Sequence, residues 1–142
     1  MVNVLLDTCV ISELRKPLPA PSVVNALQEM DPAHTFLSVV TIGELIKGIF
    51  LLPEGRQRGA FETWYAKTEA SFTDRILPVD IDVARKWGQL TARLRHQGIQ
   101  LAAPDGLIAA TALNHGMSVM TRNTKDFRST GVVLINPWQG TE

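Results

Sequence analysis

Five polar side chains stand where an apolar run gives way to a helical pattern. Each one follows a segment typical of a buried strand or opens an apolar helix: Asp7, Glu44, Asp105, Asn123 and Asp126. In an open parallel sheet the carboxyl ends of the strands share one edge, and functional residues collect beyond it. We therefore expect these side chains to converge at that edge, closely enough for Asp7, Glu44 and Asp105 to hold one cation.

Convergence of carboxylates has a chemical consequence. Two carboxylates about 4 Å apart repel each other by roughly 1 kcal/mol in water and about 4 kcal/mol at the effective dielectric of a protein surface. Such a cluster raises pKa values or recruits a cation. Mg²⁺ or Mn²⁺ suits oxygen ligands, and either ion can acidify a water molecule while polarising a phosphoryl oxygen. The pattern therefore predicts hydrolysis of a phosphodiester bond.

Each acid also has a purely structural interpretation. Asp7 and Asp105 occupy positions at which aspartate caps a helix, a contribution of about 1 kcal/mol. Thr41 and Glu44 have the T-x-x-E spacing of a capping box, and Asp126 is compatible with an ordinary loop. A carboxylate can cap a helix with one oxygen and bind a metal with the other, so the two interpretations are compatible.

Alternating strands and helices must position these residues. Five short apolar runs predict buried strands: VNVLLD, TFLSVV, RILPV, MSVMT and VVLI. Helical spacing between them predicts helices, including one over residues 8–15, one capped by Ser22, one capped by Asp82 and ended by Gly98, and one over residues 105–115. Because a parallel pair of strands needs a crossover long enough to hold a helix, this order indicates a doubly wound α/β fold.

Composition limits the possible classes of protein. A chain of 142 residues with 45% hydrophobic content predicts one domain over residues 1–142. Fourteen Lys and Arg balance fourteen Asp and Glu, so any contact with a nucleic acid must be local. The single Cys9, the lack of a leader pattern and the interruption of the longest apolar run by Glu44 and Lys47 predict a cytoplasmic protein without a membrane segment.

The surroundings of Asp105 favour a functional role. The helix that follows it is apolar on nearly every side and is therefore expected to be buried, which would hold its first turn rigidly. Asp80 and Asp82 also follow a strand, but capping by Asp82 is the simpler account, and neither is included among the candidate site residues.

Four segments, taken in order, resemble the successive motifs of PIN-domain proteins, and most closely the VapC-type toxins: LLDTCVISEL, SVVTIGELIKG, APDGLIAATALNHG and VMTRNTKDF. The resemblance covers essentially the whole chain. It implies a three-layer α/β/α fold with a central sheet of about five strands, and Mg²⁺- or Mn²⁺-dependent endoribonuclease activity. It also implies a homodimer and a cognate antitoxin that blocks the acidic site. The metal-binding acids implied by the motifs are Asp7, Glu44 and Asp105.

The chain departs from the family pattern at two positions. Cys9 stands where such proteins commonly have asparagine, and a role in the core is the simple interpretation of this residue. The fourth acidic position falls on the uncharged Asn123, with Asp126 three residues later as a substitute. Thr121, at the end of the preceding strand, is a candidate for hydrogen bonding to a water on the metal, although a structural role is common for such a hydroxyl.

Other functions and partners remain open from the sequence. A noncatalytic binding module would use the acids only as caps. A phosphoacceptor signalling domain would lack an acid on the apolar helix, and a phosphatase with an aspartyl nucleophile would need a carboxylate at position 9. Arg122, Lys125 and Arg128 are suited to RNA phosphates or to a solvated loop. One apolar helix segment offers a dimer or antitoxin surface, or is buried in the monomer: Ile46, Ile49, Phe50, Leu51 and Leu52.

Overall fold

A five-stranded parallel sheet forms the centre of the computed structural model, which describes residues 2–139. The strands lie in the order β3-β2-β1-β4-β5. Their bounds are β1 Val4–Leu6, β2 Thr35–Ser38, β3 Ile76–Leu77, β4 Ser118–Met120 and β5 Leu134–Ile135. In the register of the central pairs, Leu5 lies opposite Phe36 of β2 and Val119 of β4. The predicted doubly wound parallel sheet is confirmed.

In the described part of the chain, seven helices connect and cover these strands: α1 Thr8–Arg15, α2 Pro21–Gln28, α3 Val39–Leu51, α4 Arg56–Ser71, α5 Ile81–His96, α6 Ala103–His115 and α7 Thr124–Phe127. Two short 3₁₀ turns, Pro32–His34 and Arg128–Thr130, precede β2 and follow α7. No helix within residues 2–139 has both the length and the apolar character needed to cross a membrane.

The predicted helix caps at Ser22 and Asp82 are wrong. Ser22 lies inside α2, which begins at Pro21 after Ala20, because proline has a helical φ and lacks the N–H that a cap would satisfy. Asp82 lies in the first turn of α5, whose N-cap is Asp80; the side chain of Asp80 accepts a hydrogen bond from the Val83 amide at 2.9 Å. The predicted end at Gly98 agrees with the positive φ of this glycine just beyond α5, and Gly116 likewise has a positive φ directly after α6.

The sheet separates two apolar cores because alternate side chains of a strand point to opposite faces. Val4 and Leu6 pack on one face with α1, α2, α3 and α4. Leu5 and Val119 pack on the other face with α5, α6 and α7. This arrangement gives the α/β/α layering. Helices pack on both faces of the sheet at β1, so the carboxyl end of this strand is held in place by both layers.

Helix α6 is enclosed as its composition predicts. Ile108, Ala109, Ala110 and Ala112 are at most 1% exposed. Its N-terminal part packs closely on α5, since a Cβ atom on Gly106 would lie 2.9 Å from Nε1 of Trp87. The first turn of α6, which contains Asp105, is therefore held against a neighbouring helix.

Candidate active site

Asp7 lies at the carboxyl end of β1 and caps α1. Its backbone N–H donates to the carbonyl of Met120 in β4 at 2.9 Å, which joins the two central strands at this edge. One side-chain oxygen, Oδ1, accepts from the Thr8 amide at 2.8 Å, so the predicted cap is confirmed. The other, Oδ2, accepts from the hydroxyl of Thr121 at 2.8 Å. The carboxylate is only 4% exposed, and its two oxygens have different surroundings.

Cys9 and Thr121 both contact the Asp7 carboxylate at Oδ2. The Cys9 thiol lies 3.5 Å from Oδ2 of Asp7 and 3.6 Å from the Thr121 hydroxyl. Burial and the negative charge of Asp7 raise the pKa of the thiol, which keeps it neutral and able to donate to Asp7. Cys9 therefore contacts Asp7 as well as the core. Thr121 forms a hydrogen bond directly with Asp7, the candidate metal ligand.

The predicted capping box of Thr41 and Glu44 is wrong. The strand β2 ends at Ser38, and that residue caps α3 by accepting from the Val40 amide at 3.0 Å. Thr41 is therefore already helical, and it is fully buried. The Glu44 side chain caps no helix. Its carboxylate accepts a hydrogen bond from the Thr8 hydroxyl at 2.5 Å. Thr8 thus connects Glu44 on α3 with Asp7 at the start of α1.

The predicted cap at Asp105 is also wrong. Helix α6 begins two residues earlier, at Ala103, and no side chain caps it. Pro104 in the first turn lacks an N–H, so less capping is needed there. Asp105 is left in the first turn of α6, half-buried and without a capping role.

The pKa of Asp105 is affected by the charges of three other acids. Burial, together with the negative charges of Asp7, Asp126 and Glu44, raises the pKa of Asp105 from its ordinary value of 3.8 to about 6. The carboxylates of Asp7, Asp126 and Glu44, from three other segments of the chain, therefore lie close enough to Asp105 for their charges to act on it. We call Asp7, Glu44, Asp105 and Asp126 the acidic cluster.

The two candidates for the fourth position differ in their surroundings. Asn123 precedes α7, its side chain caps nothing, and its backbone N–H donates to the Thr121 hydroxyl at 2.9 Å. Asp126 is exposed in the first turn of α7, and its charge acts on Asp105. Thr121 therefore binds Asp7 on one side and the start of the α7 loop on the other.

The acidic cluster fits a hard divalent ion without forming a closed cage. Within residues 2–139, no three His, Cys, Asp or Glu side chains lie close enough together to enclose a metal ion directly. The expected cage of Asp7, Glu44 and Asp105 is thus not preformed. Mg²⁺ usually keeps several waters and binds one or two carboxylates. Carboxylate oxygens whose mutual repulsion is relieved by a cation suit such an ion.

A groove leads away from the acidic cluster along α3. It has a volume of about 500 Å³, and it opens between α1, α3 and the start of α6. Its lining residues are Thr8, Val40, Gly43, Glu44, Lys47, Gly48, Leu51 and Pro104. A Cβ atom on Gly43 would meet nothing within 4 Å, so this glycine leaves the helix backbone open there. Lys47 is the one cation among the residues that line the groove.

Comparison with known proteins agrees with this combination of fold and site. A three-layer domain with acids at the carboxyl edge of a parallel sheet is the class that the geometry defines, and a family model described as "PIN domain" matches residues 4–133. The chain belongs to the PIN-domain family.

Named relatives cover nearly the whole chain. The "VapC ribonuclease Y4jK" of Sinorhizobium fredii is 36% identical over 137 residues, which is 96% of this chain and 98% of the relative. The "Toxin FitB" of Neisseria gonorrhoeae is 38% identical over 139 residues, 95% of this chain and 98% of the relative. The crystal structure of FitAcB from the same organism contains a chain that matches with a TM-score of 0.89 and 38% identity, over 95% of this chain and 98% of that one.

Proposed function

We propose that the chain is a metal-dependent endoribonuclease that acts as the toxin of a toxin–antitoxin pair. The observation that carries this proposal is the acidic cluster, in which four segments of a PIN domain bring carboxylates to one edge of the sheet. Relatives named as a VapC ribonuclease and a toxin support RNA as the substrate and an antitoxin as the partner. We also propose that it acts in the cytoplasm, which the proposed RNA substrate and antitoxin partner support.

We propose that Asp7, Glu44 and Asp105 hold Mg²⁺ or Mn²⁺, with Asp126 in preference to Asn123 at the fourth position. When bound, the ion supplies an acidified water and polarises the phosphoryl oxygen of the scissile bond. The chain's own hydrogen bonds position the ligands: Thr121 and Cys9 orient Oδ2 of Asp7, and Thr8 orients Glu44. These hydrogen bonds fix the rotamers of the metal-binding side chains before an ion binds, and hydrogen bonds of this kind strengthen a metal site.

The groove along α3 gives the RNA a path to this centre. Its volume lies in the range of ordinary ligand sites, and it starts at Thr8 and Glu44 beside the acidic cluster. We propose that a nucleotide next to the scissile phosphate lies in it, with its ring over the apolar side of α3 and a phosphate near Lys47.

The noncatalytic alternative predicts that the acids serve only as caps. Of the three proposed ligands, Asp7 caps a helix, whereas Glu44 and Asp105 cap nothing. Their placement beside other carboxylates costs stability, and helix formation does not require it. This difference favours the catalytic function over the binding module.

Cleavage of a short fluorescent RNA by the purified chain tests the proposal. We expect cleavage in Mn²⁺ or Mg²⁺ and none in EDTA. Asp105→Asn should reduce the rate by at least about 100-fold, because the metal contributes several kcal/mol to the transition state. Asp82→Asn, an exposed acid in the first turn of α5, is the matched control and should cleave normally.

A calorimetric titration with Mn²⁺ provides a second measurement. Stoichiometric binding by the wild-type chain should be lost or strongly weakened in Asp105→Asn and kept in Asp82→Asn. Cleavage that persists at full rate in EDTA, or in purified Asp105→Asn, contradicts the proposal.

The raised pKa of Asp105 predicts a pH-dependent stability in the absence of metal. The unfolded carboxyl loses its proton near its ordinary pKa of 3.8, whereas the folded carboxyl keeps the proton up to a pKa of about 6. Stability should therefore fall as the pH rises through this window. In EDTA at about pH 8, Asp105→Asn should be more stable than wild type by about 1–2 kcal/mol, after allowance for solvent screening of a half-exposed group.

Urea unfolding at two pH values measures this difference. The advantage of Asp105→Asn should shrink strongly by about pH 4 and approach zero at about pH 3, where the carboxyl is largely protonated in both the folded and the unfolded wild-type chain. Asp82→Asn should show little difference from wild type at either pH. An equal advantage for Asp105→Asn at both pH values would mean that the charge of Asp105 is not its cause.

We also propose that an exposed apolar surface on α3 contacts a second copy or the antitoxin. Ile49 is buried in the monomer and Ile46 and Leu52 are partly buried, but Phe50 and Leu51 are 65% and 74% exposed. Exposed adjacent side chains of this size are typical of contact surfaces. Sedimentation velocity at low concentration measures the predicted homodimer, and a monomer at all concentrations would leave the antitoxin as the partner of this surface.

A further inference from the structure

The neutral total charge of the chain conceals an uneven distribution. Residues 1–82 carry seven Lys and Arg against eleven Asp and Glu, whereas residues 83–142 carry seven Lys and Arg against three Asp and Glu. Two of those three acids, Asp105 and Asp126, belong to the acidic cluster. The cations of the second part therefore have few acids beside them in sequence.

Four of these cations lie on two segments that contact each other, and one of the two segments also carries Asp126 of the acidic cluster. Arg122, Lys125 and Arg128 come from the segment between β4 and the 3₁₀ turn Arg128–Thr130. Arg93 belongs to α5, and its guanidinium donates weak hydrogen bonds, at 3.4 Å, to the carbonyls of Ser129 and Thr130 in the region of that turn. We call Arg93, Arg122, Lys125 and Arg128 the basic band.

The cations of the basic band are available for a ligand. All four side chains are exposed. In the part of the chain from Val2 to Gln139, none of them forms a salt bridge with an acid. Arg122 lies over the ring of Trp138 at 5.3 Å, an arrangement that orients the guanidinium without pairing it directly with an acid.

The basic band begins at the acidic cluster. The backbone N–H of Arg122 donates to the Cys9 sulfur at 3.4 Å, and Cys9 in turn contacts Asp7. Asp126, whose charge acts on Asp105, lies between Lys125 and Arg128 in sequence. A polyanion that reaches the cluster on this side therefore meets the basic band.

Four clustered carboxylates repel a nucleic acid, and a neutral protein has no overall field to offset that repulsion. Along the α3 groove only Lys47 is present to do so, whereas the basic band supplies four cations. We propose that the basic band binds the phosphate backbone of the RNA on one side of the scissile bond. This inference rests on the proposed ribonuclease function, and it assigns the residues that hold the substrate.

The salt dependence of RNA binding tests the inference without any need for cleavage. The binding protein is Asp105→Asn in EDTA, and the probe is a short fluorescein-labelled oligoribonucleotide followed by anisotropy. Lys125→Ala combined with Arg128→Ala should weaken binding about 10-fold at low salt. The same pair should lower the slope of log K against log salt concentration by about 1 to 1.5, since each phosphate contact on a single strand contributes about 0.7.

Arg56→Ala combined with Lys67→Ala is the matched control. It removes the same charge from exposed positions on α4, and it should leave the slope unchanged. In the cleavage-competent chain the Lys125 and Arg128 pair should raise KM with little change in kcat, because contacts remote from the reacting atoms contribute to uniform binding.

An equal loss of slope in both pairs would overturn the inference, because a general field would then explain binding. An unchanged slope in the Lys125 and Arg128 pair would overturn it as well. Failure of the proposed function has a different signature: the wild-type chain would cut no RNA in Mn²⁺, whatever the effect of the basic band on binding.

Discussion

Asp7→Asn and Asp7→Ala are expected to be equally inactive but unequally stable. Both variants remove a negative oxygen from the proposed metal site, so both should cleave RNA at least about 100-fold more slowly than wild type. Asparagine keeps a carbonyl oxygen that can accept from the Thr8 amide, so α1 remains capped. Alanine has no acceptor for either Thr8 or Thr121.

The stability difference between the two variants follows from those lost acceptors. A lost N-cap costs about 1 kcal/mol, and a buried hydroxyl left without its acceptor costs about 1–3 kcal/mol. Asp7→Ala should therefore lower the free energy of unfolding by about 2–3 kcal/mol, and Asp7→Asn by less than about 1 kcal/mol. Urea unfolding and RNA cleavage on the same preparations measure the two effects separately.

Asp80→Ala is the control for the capping contribution. Asp80 caps α5 from an exposed position and contributes nothing to the acidic cluster. Its loss should cost about 1 kcal/mol of stability and leave cleavage intact. If Asp7→Asn cleaves RNA as fast as wild type, Asp7 is only a cap and the site assignment fails.

Gly106→Ala is expected to destabilise the fold, whereas Gly88→Ala is expected to stabilise it. Both glycines lie inside helices, where alanine is favoured by about 0.5–1 kcal/mol. At Gly88 a Cβ meets nothing within 4 Å, so the gain should appear in full. At Gly106 the Cβ would lie 2.9 Å from Nε1 and 3.1 Å from Cδ1 of Trp87, which requires the bulky ring or α6 to move.

Overpacking of this kind costs about 1–3 kcal/mol, so the net loss in Gly106→Ala should be about 1–2 kcal/mol. Urea unfolding of both variants against wild type measures the difference. Because Gly106 adjoins Asp105, the same variant should also cleave RNA more slowly, an effect absent from Gly88→Ala. If Gly106→Ala is more stable than wild type, the Trp87 ring moves aside without a loss in the free energy of unfolding, and the prediction is wrong.

The sequence predicted the sheet edge well because its signals there are local. Apolar runs separated by helical patterns required parallel strands, and parallel strands required a shared carboxyl edge. Asp7 was expected at that edge and in a capping position, and both expectations are confirmed. Its role as a metal ligand stays a prediction.

Helix starts were predicted less well because several neighbouring residues can cap the same helix. Ser38 and Thr41 both have a suitable hydroxyl, and only the end of the β2 pairing decides in favour of Ser38. The same ambiguity displaced the cap of α5 from Asp82 to Asp80. In α6 a proline in the first turn replaced the expected cap at Asp105.

The hydroxyls that connect the acids could not be predicted from spacing. Thr8 reaches Glu44 across 36 positions, and Thr121 reaches Asp7 across 114. Such contacts depend on which strands become neighbours, and the order β3-β2-β1-β4-β5 is set by the whole fold. A threonine directly after a strand-end aspartate was the one local signal, and it is too common to carry a prediction.

The pairing of the first strand with β4 also determines when the site can form during synthesis. Asp7 leaves the ribosome early, but its partner Thr121 follows 114 residues later. Contacts between such distant positions form only after most of the chain is available. A nascent chain therefore lacks the complete acidic cluster until β4 has emerged from the ribosome.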